Sequence, residues 1–257
     1  MEILAALNRI LSPDGILERS DAHVRILEGL EPSSGTLAGT VPESILMDEN
    51  GARFSIDISG GQKTGWFLDQ RANRAAAARF APGSRVLDAF CNQGGFGILC
   101  AKAGAVSVVA VDSSADALRA AVENARLNGV ESAFATVEAN AFDYLRELER
   151  DDAKFDLVIL DPPAFAKSKA TVEAAHRGYR EINVRAMHLI PRSGILVTCS
   201  CSHWFDDDRF DAMLAESASD CGRRFRTIEE RTQDLDHPIV SGYGESRYLK
   251  CRILEMI

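Results

Sequence analysis

The sequence predicts an α/β protein: a parallel sheet covered by helices on both faces, preceded by a small β-rich unit. Two observations carry this expectation. From about residue 70, short apolar runs alternate with stretches of helical periodicity, and strands buried on both faces read as such runs. Unusual polar residues (Asp88, Asp112, Asp161 and the stretch Cys199 to His203) fall at the ends of successive runs. Ligands bind at the carboxyl ends of strands in such sheets. The plain alternative for each aspartate alone is a cap on the following helix. The composition agrees, with 46% hydrophobic and 26% charged residues in 257. It excludes a disordered chain, a collagen-like chain and a small disulfide scaffold, and the length allows one sizeable core plus an appendage.

The elements follow in order. Ile3, Leu4, Leu7, Ile10 and Leu11 have helical spacing, and Pro13-Asp14-Gly15 breaks it. Pro32-Ser33-Ser34-Gly35 reads as a loop. Two alternating stretches, Ser44 to Met47 and Arg53 to Ile58, flank Glu49-Asn50-Gly51. Asn-Gly between apolar runs signals a hairpin, because both central residues need φ > 0. Residues 1–62 are expected to form the small β-rich N-terminal subdomain and 63–257 the main domain. Ala72 to Phe80 reads as a helix ended by Pro82-Gly83, and Arg85 to Ala89 as a buried strand. A helix over Gly94 to Ala103, a strand over Ser107 to Val111 and a Ser/Asp-capped helix from Ser113 to Leu127 come next. Strands near Ala133 to Val137, Phe155 to Leu160 and Gly194 to Cys199 alternate with helices over Ala141 to Glu149 and Thr171 to Leu189.

The net charge is −9, from 29 basic and 38 acidic residues. Such acidity disfavours broad, non-specific nucleic-acid binding but leaves room for a local basic surface. Residues 163–185 carry Lys167, Lys169, Arg177, Arg180 and Arg185 against Glu173 and Glu181. Arg71, Arg74 and Arg79 form a second cluster. The plain alternative is a solvated helix face. The six cysteines include no C-x-x-C pair, and the N-terminus has no basic region or cleavage-like site. Both features predict reduced thiols in a cytoplasmic protein. No run approaches the roughly 18 apolar residues of a membrane span.

The first strand leads into Asp88-Ala89-Phe90-Cys91-Asn92-Gln93-Gly94-Gly95-Phe96-Gly97. Glycines there let backbone N–H groups approach a ligand at a helix start. Counting from Gly95 and Gly97, the third glycine of a dinucleotide fingerprint would fall on Cys100, so a pyrophosphate cofactor is disfavoured. Asp112 is placed to accept hydrogen bonds from ribose hydroxyls. Ribose without pyrophosphate points to an adenosine-type ligand such as S-adenosylmethionine, with another nucleotide-binding α/β protein as the alternative.

The segments Asp88 to Phe96, Asp112-Ser113-Ser114 and Asp161-Pro162-Pro163-Ala164-Phe165 resemble the cofactor motifs of class I S-adenosylmethionine-dependent methyltransferases. Gly61 to Arg71, Arg177 to Asn183 and Tyr248-Leu249-Lys250 narrow the match. Together they resemble the bacterial large-subunit ribosomal RNA cytosine-5 methyltransferase family, from about Ile16 onward. The resemblance implies a Rossmann-like class I methyltransferase fold with a mostly parallel seven-stranded sheet, and S-adenosyl-L-methionine as cofactor. It puts Thr64, Phe67 and Gln70 beside the methionine end, with Asp88, Phe90, Cys91, Asn92, Gly94, Gly95 and Phe96 wrapping the cofactor. Asp112 would hold the ribose, Ser113 would sit near the adenine, and Asn140 would meet the adenine amino group. Asp161 and Pro162 would border the transferred methyl. Plain alternatives are a helix N-cap for Asn140 and core packing for Phe67 and Phe96. Members of that family usually carry an N-terminal PUA domain, and this sequence is expected to lack one. RNA, ribosomal by the resemblance, is the expected partner, with no membrane; a homodimer is left open.

Cytosine carbon-5 is not nucleophilic enough to attack a sulfonium methyl. A thiolate adding to carbon-6 makes it enamine-like, an acid must hold the base at N3, and a base must then remove the carbon-5 proton. Cys201, after the strand ending near Cys199, is assigned as nucleophile, and Asp161 as the acid that orients the base. Cys199 is expected to be packed. The alternative is that both cysteines are small apolar fillers. Cys199, Cys201 and His203 alternate but lack metal-ligand spacing, so no metal is expected. Arg71, Lys167 and Lys169 are the candidate substrate contacts, and Trp66, Phe165 or Trp204 could stack on an extruded base. Three readings stay open: cytosine-5 methylation of RNA, methylation of a nitrogen on guanine or a small substrate using Asp161 alone, and a non-catalytic RNA-binding protein.

Overall fold

The computed structural model describes residues 2–20, 24–58 and 65–257. It divides into two units, residues 1–45 with 56–65, and residues 46–55 with 66–257.

The smaller unit opens with helix α1 (Glu2–Leu11), as its apolar spacing predicts. Strand β1 (Gly15–Ser20), a short helix α2 (Val24–Leu27) and strand β2 (Ser33–Gly39) follow. The expected loop over Pro32 to Gly35 is corrected here. Ser33, Ser34 and Gly35 lie in β2, paired antiparallel with Ser20, Arg19 and Glu18 of β1. Ser and Gly carry little strand preference, and backbone pairing overrides it.

Strands β3 (Ser44–Glu49) and β4 (Ala52–Asp57) form the expected hairpin. Its turn residues Asn50 and Gly51 have φ of 51° and 77°, the left-handed pair that a two-residue hairpin loop requires.

The larger unit continues with α3 (Arg71–Ala78), β5 (Arg85–Ala89), α4 (Gly95–Lys102), β6 (Ser107–Asp112), α5 (Ala115–Leu127) and β7 (Phe134–Glu138). Then come α6 (Ala141–Arg150), β8 (Leu157–Leu160), α7 (Val172–Leu189), β9 (Ile195–Ser200), α8 (Asp207–Asp220), β10 (Phe225–Arg231) and β11 (Lys250–Met256). Seven strands form one sheet in the order β10-β11-β9-β8-β5-β6-β7. The five strands from β9 to β7 run parallel, and β11 is antiparallel to both β9 and β10.

Alternate strand residues bury on opposite faces. Leu87, Ala89, Val158, Leu160 and Leu196 join Leu145 of α6, Tyr179, Ile182 and Met187 of α7, and Phe210 and Met213 of α8 in one core. Strand order reverses at β5, whose neighbours β6 and β8 lead away in opposite directions. The crevice at the carboxyl ends of β5 and β8 is the switch point where such sheets bind ligands. No helix among the described residues is long and apolar enough to cross a membrane.

Candidate functional site

The loop leaving β5 takes an unusual path. Phe90, Asn92 and Gly94 have φ of 64°, 49° and 82°. The left-handed region costs a non-glycine residue about 1–3 kcal/mol. Hydrogen bonds fix the path: Cys91 N donates to Val111 O at 2.9 Å, Asn92 N to Asp112 Oδ2 at 2.9 Å, and Gly94 N to Cys91 O at 2.8 Å. Asp112 also accepts from Ser114 N at 3.0 Å through Oδ1. Asp88 is fully buried. Its Oδ2 accepts from Gly97 N at 2.8 Å, and its Oδ1 has no partner. Gly94 and Gly95 serve packing. A Cβ on Gly94 would come within 3.2 Å of Ile98, Phe134 and Ala121, and one on Gly95 would lie 2.9 Å from Arg74.

Asp161 follows β8 directly. Its Oδ1 accepts from Gln70 Nε2 at 2.7 Å. Gln70 Oε1 accepts from Asn73 Nδ2 at 2.7 Å, and Asn73 Oδ1 accepts from Arg231 Nε at 3.0 Å. This buried relay fixes the orientation of Asp161. The three carboxylates stand at the ends of neighbouring strands. Burial pushes Asp88 up to about 7, and repulsion from Asp161 and Asp112 adds to it.

Cys201 follows β9 and is half-buried, whereas Cys199 and Cys251 are fully buried cross-strand partners. The neighbouring Cys251 thiol and burial together raise the Cys199 thiol well above its ordinary range. Cys199 is therefore packed, as the sequence predicts. The loops after β8 and β9 are tied together: Ala166 N donates to Ser202 Oγ at 3.0 Å, and Tyr179 Oη bonds the same oxygen at 2.8 Å. Phe90, Phe142, Phe165 and Tyr179 form a continuous row of ring contacts, with successive centroids 6.3, 5.7 and 4.6 Å apart. Asp161 and Cys201 thus sit on adjacent, cross-linked strand ends.

Sequence reasoning left three residues here without a role. Lys250, opposite Ser200 on β11, is 1% exposed. Its Nζ donates to Ser202 O at 2.7 Å and Tyr248 O at 2.8 Å. Burial pushes its ammonium down to about 8, while Asp207, Cys201 and Asp206 favour the charge. Tyr248 Oη donates to Asp69 Oδ2 at 2.7 Å. A charged residue opening the apolar run Lys-Cys-Arg-Ile-Leu was the available signal. Lys250 also lines a cleft of about 610 Å³ with His203, Tyr243 and Arg247.

Thr64 lies outside the described residues. Phe67 is half-buried, and its carbonyl accepts from Arg74 Nη2 at 2.8 Å. Phe96 and Pro162 are buried, and Ser113 is exposed. Asn140 caps α6, its Oδ1 accepting from Phe142 N at 2.9 Å. That bond leaves its amide nitrogen available to a ligand.

Two sequence expectations about surfaces are corrected. The second basic cluster is neutralised: Arg71 pairs with Asp234 at 2.7 Å and Asp236 at 3.3 Å, Arg74 is buried against Glu49 at 2.6 Å, and Arg79 pairs with Glu229. Trp66 is not a stacking platform. Its ring lies 4.5 Å from Phe54 and 4.7 Å from the Arg74 guanidinium, and its Nε1 donates to Glu49 at 2.8 Å. In residues 163–185, Arg180 pairs with Asp220 and Arg185 with Glu149. Lys167 and Arg177 stay exposed, and Lys169 lies 5.5 Å over the exposed Trp204 ring. Among the described residues no cluster could hold a metal ion.

A switch-point crevice bordered by three carboxylates and a left-handed glycine loop defines a class: an α/β protein that takes a cationic, nucleoside-type ligand. The chain belongs to the S-adenosylmethionine-dependent methyltransferases, whose family model matches residues 21–237. It is 43% identical over 259 residues to the ribosomal RNA large subunit methyltransferase I of Tolumonas auensis, covering 100% of this chain and 65% of that protein. The same-named protein of Shewanella denitrificans is 44% identical over 237 residues, covering 91% of this chain and 60% of that protein. The chain therefore spans somewhat under two thirds of the length of these relatives. Among solved structures, SMU.776 complexed with SAH superposes with a TM-score of 0.85 at 22% identity, over 99% of this chain and 65% of that one. The Methanocaldococcus jannaschii tRNA m1G37 methyltransferase superposes at 0.67 with 19% identity, over 99% and 67%. Both likenesses are of fold.

The family's cofactor suits this donor set. A sulfonium cation there would offset the repulsion that Asp161 and Asp112 exert on the buried Asp88, which a neutral or anionic ligand would not.

Proposed function

We propose that this chain transfers a methyl group to carbon-5 of a cytosine in large-subunit ribosomal RNA, with residues 63–257 forming the methyltransferase domain. The observation that carries the reading is the cross-linked pair of strand ends bearing Asp161 and Cys201 beside the carboxylate crevice. The names of the relatives support RNA as substrate. The six cysteines, none in a disulfide, suit a reducing compartment, the cytoplasm.

When bound, S-adenosylmethionine supplies an electrophilic methyl on a positively charged sulfur. Asp112 would accept from the ribose hydroxyls, Asn140 would accompany the adenine edge, and the backbone of 90–96 would enclose the cofactor. Phe67, Gln70 and Pro162 border its methionine end, and Asp88 contributes negative charge from beneath. Cys201, as thiolate, adds to carbon-6 of the cytosine while Asp161 holds the ring at N3. Carbon-5 then takes the methyl, a base removes the carbon-5 proton, and the carbon–sulfur bond breaks to return the thiolate. Lys167, Lys169 and Arg177 receive the RNA backbone.

Cys201→Ala tests this. The variant is expected to bind cofactor with wild-type affinity by calorimetry and to yield no 5-methylcytidine from bacterial ribosomal RNA. Normal turnover in that variant, or a methylated nitrogen in the digested RNA, would overturn the reading in favour of nitrogen methylation positioned by Asp161.

A further inference from the structure

We infer that Lys250 is the positioning residue that holds Cys201 as a thiolate, through an ammonium placed on the neighbouring strand. The inference rests on the nucleophile reading above and adds the source of its charge.

A hydrogen bond, not register, brings the pair together: register turns the Lys250 side chain to the face of Ser200, and its Nζ reaches on to the Ser202 carbonyl at 2.7 Å. Lys250 lies opposite Ser200 in the antiparallel β11–β9 ladder, and Cys201 is the next residue along. The ammonium has three N–H donors. Two go to the carbonyls of Ser202 and Tyr248, the first belonging to the residue after the thiol. Among the described residues, no carboxylate forms an ion pair with Lys250. A lysine that is 1% exposed and bound only to neutral carbonyls carries a charge that burial opposes. A thiolate one residue from its pairing partner answers that charge. The coupling is visible from the other side too, since Cys201 favours the charged form of Lys250.

Other charged or titratable groups among the described residues lie around the pair, including His203, which lines the same cleft as Lys250. Asp206 and Asp207, at the start of α8, support the ammonium from a greater distance, and Arg252 on β11 opposes it. Arg252 is itself bound by Asp207 at 2.7 Å and Asp211 at 2.8 Å. Tyr179 of α7 and Tyr248 face Cys201, and both phenols are driven upward by burial. They stay neutral and do not compete as anions. Asp161 raises the nearby Cys199 thiol, and its charge opposes a thiolate there. Lys250 is thus a cation bonded to the backbone of the residue after the nucleophile. Thiolates are stabilised by this kind of neighbour.

The test is the rate of iodoacetamide alkylation at Cys201 against pH, resolved by peptide mass spectrometry, on the full chain without cofactor. Lys250→Met is expected to move the titration up by about one unit, an alkylation rate at pH 7 lower by about tenfold. Lys250→Arg is expected to keep the wild-type curve, because it keeps the charge. A Lys250→Met curve superimposed on wild type would overturn the inference. Should Lys250→Met not fold, the reciprocal measurement decides. In Cys201→Ala, the Lys250 ammonium, followed by NMR in lysine-labelled protein, is expected to titrate at lower pH than in wild type, and an unmoved profile would overturn the pairing. The two failures separate: turnover in Cys201→Ala removes the nucleophile, whereas an unmoved alkylation curve removes only the partner.

Discussion

Asp88 shows how one buried carboxyl couples the cofactor site to pH. Its folded-state value of about 7 lies above the ordinary 3.8. Between those values the unfolded chain has lost the proton and the folded chain keeps it, so folding stability falls as pH rises through this window and levels off above it. Asp88→Asn removes the ionising group while keeping an acceptor for Gly97. Its stability relative to wild type is expected to be greater at pH 8 than at pH 4.5 by urea denaturation, and a pH-independent difference would refute this. The same group makes cofactor binding proton-linked. A cation in the crevice favours ionised Asp88, so affinity for S-adenosylmethionine is expected to rise from pH 6 to pH 8, with proton release visible by calorimetry in buffers of different ionisation enthalpy. Asp161→Asn tests the other side of the site. It is expected to lower the single-turnover rate at saturating cofactor by about 10²–10⁴-fold, and to weaken cofactor binding as well, since one carboxylate facing the sulfonium is lost.

At the scale of elements, the β3–β4 hairpin is anchored by its tip. Glu49 receives two bonds from Arg74, at 2.6 and 2.8 Å, and one from Trp66. Removing one partner of such a buried pair costs about 3–5 kcal/mol, so Glu49→Ala is expected to lower Tm by about 10 °C, read by calorimetry. The hairpin was legible in the sequence because Asn50-Gly51 admits few other conformations. The sheet strands were legible for a different reason: strands covered on both faces are continuous apolar runs, and β5 matches its expected limits. Strand β2 was not legible. Six of its seven residues are exposed, so no hydrophobic alternation marks it, and backbone bonding to β1 supplies its order. The aspartates of the site could be read from their places at strand ends. The Gln70–Asn73–Arg231 relay and Lys250 could not, because their partners lie on distant segments that only the fold joins. The same non-locality hid the neutralisation of Arg71, Arg74 and Arg79.

For the whole molecule, charge sets the terms of RNA binding. A chain of net charge −9 with its arginines largely paired offers few cations to phosphates. The salt dependence of RNA affinity is expected to be shallow, a log–log slope near −2 to −3 for Lys167, Lys169 and Arg177. Replacing all three by Gln is expected to flatten it further in filter-binding titrations. A slope as steep as −6 would place the RNA elsewhere. The sheet order has a consequence of another kind. Strand β10 precedes β11 in the chain, yet β11 lies between it and β9 and is its only neighbour among the described strands of the sheet. Without β11, β10 would have both edges bare, a state that invites misassembly. The segment that rescues it also delivers Lys250 to Cys201. Loss of that one segment would therefore strip the sheet of an edge and the thiol of its assigned cation.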